Sequence, residues 1–409
     1  MKKFDIPANY SANIIDSIRK IRDKNDPRKK DISPSIIQLE KIDFYIGRHF
    51  GFCYGVKNAI EICYNAIKNF PDKKIYLLSE MIHNQLVNQD LQENGISFIM
   101  DTKGKQLIKW DEISNDDIVI IPAFGTSLEV LQILNKKNIN TEKFDTTCPF
   151  VSKVWNRSKT IATQGFTTII HGKANHEETR STFSRAKKHG PAIIVETMED
   201  VYSLCEIIKN NKSKRKKIFK NKVSPGFDFN KNLKKVGVVN QTTMLASETK
   251  KIITLITATF QEIHQKEDVQ TYIANTRDTL CYATNENQES TIELLKNDVD
   301  IAIIVGGYNS SNTTHLAELA SEKVQTFFIN SSEKIFLNNS IKHFDIHTKQ
   351  ERITHNFLPE KKCKIILTSG ASCPDSIIEK VMRKISQIKT NNLNIHEILD
   401  MFEQKYAIS

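Results

Sequence analysis

The chain has 409 residues, 39% hydrophobic and 26% charged, with a formal net charge of +10. That length and balance fit a soluble globular protein of two or three domains. No apolar run approaches the roughly 18 residues of a membrane span, so no membrane partner is expected.

The first residues, "MKKFDIPANYSANIIDSIRK", lack the apolar core of a signal peptide and carry Asp5 and Asp16, which argue against an organelle leader. The expected location is the cytoplasm. Residues 1 to 45 are charged and contain the turn-forming "NDPRKKD", which predicts an appended segment before the main fold. Short β-rich runs then alternate with amphipathic helices. The predicted strands are "KKIYLLS", "DDIVIIPAFG", "TTIIHG", "PAIIVET", "KKVGVVNQT", "VDIAIIVGG", "VQTFFIN" and "KCKIILTSG". Continuous apolar runs of this kind suit parallel strands covered on both faces. Between them, "EVLQILNKKN", "LASETKKIITLITATF" and "STIELLKND" space their apolar residues by three and four, so the fold class is α/β. A last helix is expected in "NIHEILDMFEQK".

The positive charge invites a nucleic-acid reading, which the sequence does not support. Eight basic residues crowd into "KNNKSKRKKIFKNK", Lys209 to Lys222, which reads as a solvated insertion loop. There is no ribonucleoprotein aromatic motif, and no nucleic-acid partner is expected.

Seven cysteines, an odd number spread thinly, fit thiols kept reduced rather than a disulfide framework. Three share one setting. Cys53 in "GFCYGV", Cys148 in "DTTCPFVSKVW" and Cys281 in "DTLCYATNENQ" each follow a predicted strand and precede a predicted helix. Thr147 and Thr279 are capping types, and Pro149 suits a first helical position. The partial positive charge of a helix start favours thiolate, the form that binds metal. Cys63, Cys205 and Cys363 read as core residues. No C-x-x-C pair is present, so neither a zinc ribbon nor a ferredoxin-type signature applies. Three repeated α/β units meeting at a centre would each present one such turn. Three thiolates on a four-iron cluster would leave one iron open to substrate.

Two further turns suit an anion. "NSSN" (Asn309 to Asn312) and "SGAS" (Ser369 to Ser372) each follow a strand and open a helix, so hydroxyls, an amide and free N–H groups can converge there.

With "HGKANHEETRST", "NQTTM", "GGYNSSNTTHL" and "TSGASCPD" added, these motifs stand in the order found in the 4-hydroxy-3-methylbut-2-enyl diphosphate reductase family. The chain resembles that family's longer cyanobacterial and plant-type branch from about Phe44 to Ile385. The resemblance implies three similar α/β domains in a trefoil around a central iron–sulfur cluster, one [4Fe-4S] per chain, bound by Cys53, Cys148 and Cys281. The implied boundaries are 1–45 for the extension, 46–147, 148–276 with the Lys-rich insertion near 209–235, 277–388, and 389–409 for the tail. It also implies diphosphate binding by His83, His176, Ser310, Ser311, Asn312 and Ser372. Glu178 would be the proton donor, relaying through Thr242, with Glu177 a solvated neighbour and Thr284 helping Asn312 to orient substrate. The implied reaction is reductive removal of the substrate's allylic hydroxyl as water, giving isopentenyl and dimethylallyl diphosphate, with reduced ferredoxin or flavodoxin as electron source. One position departs: where many bacterial members have histidine, "PAFGTS" places Phe124, which cannot donate a hydrogen bond. The rival reading is a metal-free nucleotide-binding α/β enzyme, but neither G-x-G-x-x-G nor G-x-x-x-x-G-K is present.

Overall fold

A computed structural model describes residues 4–210, 214–265, 268–274, 279–389, 398–400 and 402. In chain order the elements are α1 (Asn13–Asn25), β1 (Ser35–Gln38), β2 (Ile42–Ile46), α2 (Tyr54–Asn69), β3 (Ile75–Leu77), α3 (Gln85–Glu93), β4 (Ile96–Phe98), β5 (Ile118–Ile120), α4 (Leu128–Lys136), α5 (Pro149–Thr163), β6 (Thr167–His171), α6 (Glu177–His189), β7 (Ala192–Val195), α7 (Met198–Lys209), α8 (Phe229–Asn232), β8 (Val236–Asn240), α9 (Ala246–His264), α10 (Tyr282–Leu294), β9 (Ile301–Val305), α11 (Ser311–Ser321), β10 (Gln325–Ile329), β11 (Ile335–Phe336), β12 (Ser340–Asp345), β13 (Gln350–His355), β14 (Cys363–Ser369) and α12 (Asp375–Lys389). All eight predicted strands form. The C-terminal helix expected over 394–405 lies outside the described residues except at 398–400 and 402.

The chain divides into two compact units. One comprises Met1–Lys57, His83–Val87 and Tyr282–Ser409; the other comprises Asn58–Ile82 and Asn88–Cys281.

The first unit is built on an eight-stranded sheet ordered β1-β2-β14-β9-β10-β12-β11, with β13 paired to β12. Its centre is parallel, β2 beside β14 and β14 beside β9, as continuous apolar strands require when both faces are covered. Strand residues alternate between the faces. Ile301, Ile303 and Val305 pack with Ile14, Ile15 and Ile18 of α1 and with α12. Ala302 and Ile304 pack with Leu294 of α10 and with Leu316 and Ala317 of α11. Within the segment read as an appended extension, α1 therefore contributes to this core, and β1 pairs antiparallel with β2.

The second unit carries two three-stranded parallel sheets, β4-β3-β5 and β7-β6-β8. In the latter, Ile169, Val195 and Val238 pack on one side with α7 and α9, while Ile170, Ile194 and Val239 pack on the other with α5 and α6.

The lysine-rich insertion differs from a plain solvated loop. Lys214–Phe219 forms a 3-10 turn, and Phe219 is fully buried among Ile193, Leu204 and Phe260. Lys222 reaches Glu196 at 3.1 Å and Asp200 at 2.8 Å. One aromatic anchor was hidden among the charges.

Candidate active site

Each of the three singled-out cysteines sits immediately before the first residue of a helix: Cys53 before α2, Cys148 before α5 and Cys281 before α10. Their backbone settings match. Each cysteine's N–H donates to a carbonyl in the loop after a strand: Cys53 to Ala371 after β14 (3.2 Å), Cys148 to Ala123 after β5 (2.9 Å) and Cys281 to Thr242 after β8 (3.2 Å). Cys148 is itself the N-cap of α5, with Pro149 at the first helical position. The expected capping threonines serve otherwise. Thr147 donates its N–H to Asp145 (2.8 Å), and the Thr279 hydroxyl accepts the Asn240 N–H (2.7 Å).

None of the seven cysteines is joined in a disulfide, and only these three are partly exposed; Cys63, Cys205, Cys363 and Cys373 are buried. Burial alone pushes the Cys63 thiol up, and it is the leading cause at Cys205, at Cys373 and at Cys363, which rises to about 12. Burial also raises Cys53, but there the backbone N–H groups of Val56 and Gly55, at the start of α2, pull the other way. That opposition is the helix-start effect acting on a sulfur. Among the described residues, no three His, Cys, Asp or Glu side chains stand ready to hold a single metal ion. The fit to an iron–sulfur group rests instead on donor chemistry: three reduced, partly exposed thiols, each at a helix start, against four buried ones.

Within the first unit, His83, Ser310, Ser311, Asn312 and Ser372 are all buried. Ser310 is the N-cap of α11, its hydroxyl accepting the Thr313 N–H. The Ser372 hydroxyl lies 3.4 Å from Ser310 Oγ and 3.3 Å from the His83 carbonyl. Asn312 Oδ1 accepts from the Ala371 N–H (2.8 Å) and from Asn287 Nδ2 (3.4 Å). Its Nδ2 is buried without a partner. A donor left so costs about 1–3 kcal/mol, so it needs an acceptor. Thr284 is buried on α10, one turn before Asn287. Sequence reasoning missed Asn287, and also Asn84, whose Oδ1 accepts from Leu86 N–H and Val87 N–H while Nδ2 donates to the Ser372 carbonyl (2.9 Å). For Asn84, an Asn at a helix start was the available signal.

Within the second unit, His176 caps α6, its Nδ1 accepting the Glu178 N–H at 3.1 Å. In the neutral ring the proton then resides on Nε2, which becomes a donor. The Phe124 and His176 rings meet in a T-shaped pair, 5.3 Å between centroids. At this position phenylalanine packs against the histidine instead of donating. Glu178 is 1% exposed. Its carboxylate accepts from the Thr242 N–H (2.6 Å) and the Thr242 hydroxyl (2.9 Å), so the expected relay pair is in direct contact. Glu177, implied to be solvated, is instead buried at 5% exposure. It lines a cavity of about 210 Å³ with Ser79, Thr126, Ser127 and Arg180, where Ser181 of α6 donates to the Phe124 carbonyl in the loop after β5 and Ser184 accepts from the Leu128 N–H at the start of α4.

A model of the LytB protein family matches residues 45–386. The chain belongs to the LytB family. Among similar members, the 4-hydroxy-3-methylbut-2-enyl diphosphate reductase of Gloeobacter violaceus is 35% identical over 390 residues, covering 94% of this chain and 89% of the relative. That of Gloeothece citriformis is 39% identical over 344 residues, covering 83% of each. A solved structure of (E)-4-hydroxy-3-methyl-but-2-enyl diphosphate reductase, described as the terminal enzyme of the non-mevalonate pathway, shares 27% identity at a TM-score of 0.51, covering 84% of this chain and 98% of its own. The Plasmodium falciparum reductase structure, at 23% identity and a TM-score of 0.62, covers 90% of this chain and 99% of its own and shows likeness of fold. No helix among the described residues of this LytB chain is long and apolar enough to cross a membrane.

Proposed function

We propose that this chain reduces 4-hydroxy-3-methylbut-2-enyl diphosphate, removing the allylic hydroxyl as water to give isopentenyl and dimethylallyl diphosphate in the cytoplasm. The balance is two electrons and two protons taken up, one C–O bond broken, one C–H bond formed and one water released. The observation that carries the reading is the repeated setting of Cys53, Cys148 and Cys281, each partly exposed, each before a helix and each bonded to the loop after a strand. These three would hold a [4Fe-4S] cluster, one from each of three α/β domains, 46–147, 148–276 and 277–388. When bound, such a cluster supplies one-electron steps and an open iron position.

The protein's own residues bind, orient and protonate. Ser310, Ser311, Asn312, Ser372 and His83 supply donors for the diphosphate, with Asn312 Nδ2 awaiting an acceptor. His176 adds its Nε2–H. Thr284 orients substrate with Asn312. Glu178, shielded from water, delivers the proton that lets hydroxide leave as water, while Thr242 holds the carboxyl group in place. Reduced ferredoxin or flavodoxin would supply the electrons.

The test is anaerobic purification with iron and sulfide analysis, followed by turnover of the diphosphate with a chemically reduced viologen dye. Visible cluster absorption with formation of both five-carbon diphosphates is expected. A colourless, inactive protein after reconstitution would favour a metal-free phosphate-binding enzyme.

A further inference from the structure

Gln241 is 1% exposed and directly follows β8. Its side chain bonds two other segments and its own loop. Oε1 accepts from the Lys173 N–H (3.1 Å) and from the Thr179 hydroxyl (3.1 Å), and Nε2 donates to the Thr243 hydroxyl (2.7 Å). Its own N–H donates to the His171 carbonyl at 2.8 Å. Gly172 makes the space: a Cβ there would stand 2.6 Å from Thr179 Oγ1 and 2.8 Å from the Gln241 Cβ.

These partners are placed to matter. Lys173 lies in the loop that leads to His176, Thr179 follows Glu178 on α6, and Thr243 follows Thr242. Glu178 and Thr242 stand on different segments, yet their carboxyl must meet both an N–H and a hydroxyl. We propose that Gln241 is a positioning residue, a clamp that sets the start of α6 against the loop after β8 and so holds the Glu178 carboxyl in reach of Thr242. The proposal rests on the reading of Glu178 as proton donor. A misplacement of about 1 Å in such a group costs about 10²-fold in rate, so a buried amide that acts through Glu178 and Thr242 still governs turnover.

The test is steady-state kinetics of the cluster-loaded enzyme, normalised to iron, with substrate affinity and melting temperature measured on the same samples. Gln241→Leu keeps the bulk and removes all three side-chain bonds. Its kcat is expected to fall at least about tenfold while KM and calorimetric substrate affinity stay within about threefold, the pattern of a lost transition-state interaction. Thr179→Val removes one bond and lowers kcat by about threefold or more; added to Gln241→Leu it lowers kcat no further, since both act on one bond. A glutamine that only stabilises the fold would lower the melting temperature and leave kcat per iron unchanged. That result, a rise in KM matching the fall in kcat, or additive effects would overturn the clamp. If Gln241→Leu does not fold, Thr179→Val and Thr243→Val decide, and a kcat within about 1.5-fold in both rejects it. No turnover by the unmodified chain, with its cluster loaded, would sink the functional reading and the clamp with it.

Discussion

Replacing Glu178 by glutamine separates proton delivery from shape. In the native site the carboxyl accepts from the Thr242 N–H at 2.6 Å and the Thr242 hydroxyl at 2.9 Å, with 1% of the residue exposed. A glutamine carbonyl keeps the first bond, and its NH₂ donates to the Thr242 hydroxyl once that hydroxyl turns, so the site stays hydrogen-bonded. What disappears is the transferable proton. General acid catalysis contributes about 10²–10⁴-fold, which at about 1.4 kcal/mol per tenfold is about 2.8–5.6 kcal/mol of barrier. Thr242→Val, by contrast, keeps the acid and the N–H and loses one hydrogen bond to the carboxyl group, about 0.5–1.5 kcal/mol or about 2–13-fold. The assay is anaerobic kinetics with reduced viologen, normalised to iron, with cluster absorption as the integrity check. Glu178→Gln retaining turnover within about tenfold of the unmodified enzyme would refute the assignment.

Three further outcomes are expected. Cys53→Ser, Cys148→Ser and Cys281→Ser each lose the iron, whereas Cys205→Ser, in a core, keeps it; iron and sulfide analysis after reconstitution reads the difference. Phe219→Ala, emptying a fully buried site, costs about 3–5 kcal/mol in urea unfolding, while Lys217→Ala on the same turn stays within about 0.5 kcal/mol. Burial, then Arg48, Lys29 and Arg19, push the His49 imidazole from 6.5 down to about 4. The folded chain therefore binds fewer protons than the unfolded one between these values, so this contribution to stability is present above pH 6.5 and lost as pH falls towards 4. His49→Gln flattens that part of a melting-temperature profile, and an unchanged slope would remove His49 from the account.

Much of the fold was legible because parallel strands covered on both faces write themselves as apolar runs, and every such run became a strand. β13 was not legible. Its residues are exposed or half-buried throughout, so "QERITH" carries no apolar alternation for a reader to find. Phe219 was masked by the lysines around it, since charge patterning describes the solvated side of a segment and says nothing of a single anchor. At the site, cysteines before helices were readable from local residue types. The contacts of Asn84, Asn287 and Gln241 were not, because each joins segments far apart in the chain: Asn84 to Ser372 is a separation of 288 residues. Glu177 shows the same limit, since the cavity it lines is shared with Thr126 and Ser127 of the loop after β5, which lie outside "HEET".

The position of β14 has a consequence for how the chain is made. It pairs with β2 on one side, joining Ile365 to Phe44, and with β9 on the other, joining Ile365 to Ile301. The second unit's strands all lie between Ile75 and Asn240, so its sheets can close while synthesis continues. The first unit cannot. Until Cys363 to Ser369 has left the ribosome, β2 and β9 each wait with a strand edge unpaired, one near the start of the chain and one some way past its middle. Such edges recruit other chains, and long-range pairing of this kind is slow and open to aggregation. A message truncated before that last strand would therefore yield a protein with one folded unit and a sticky remnant, which makes β14 the step on which release of a sound molecule depends.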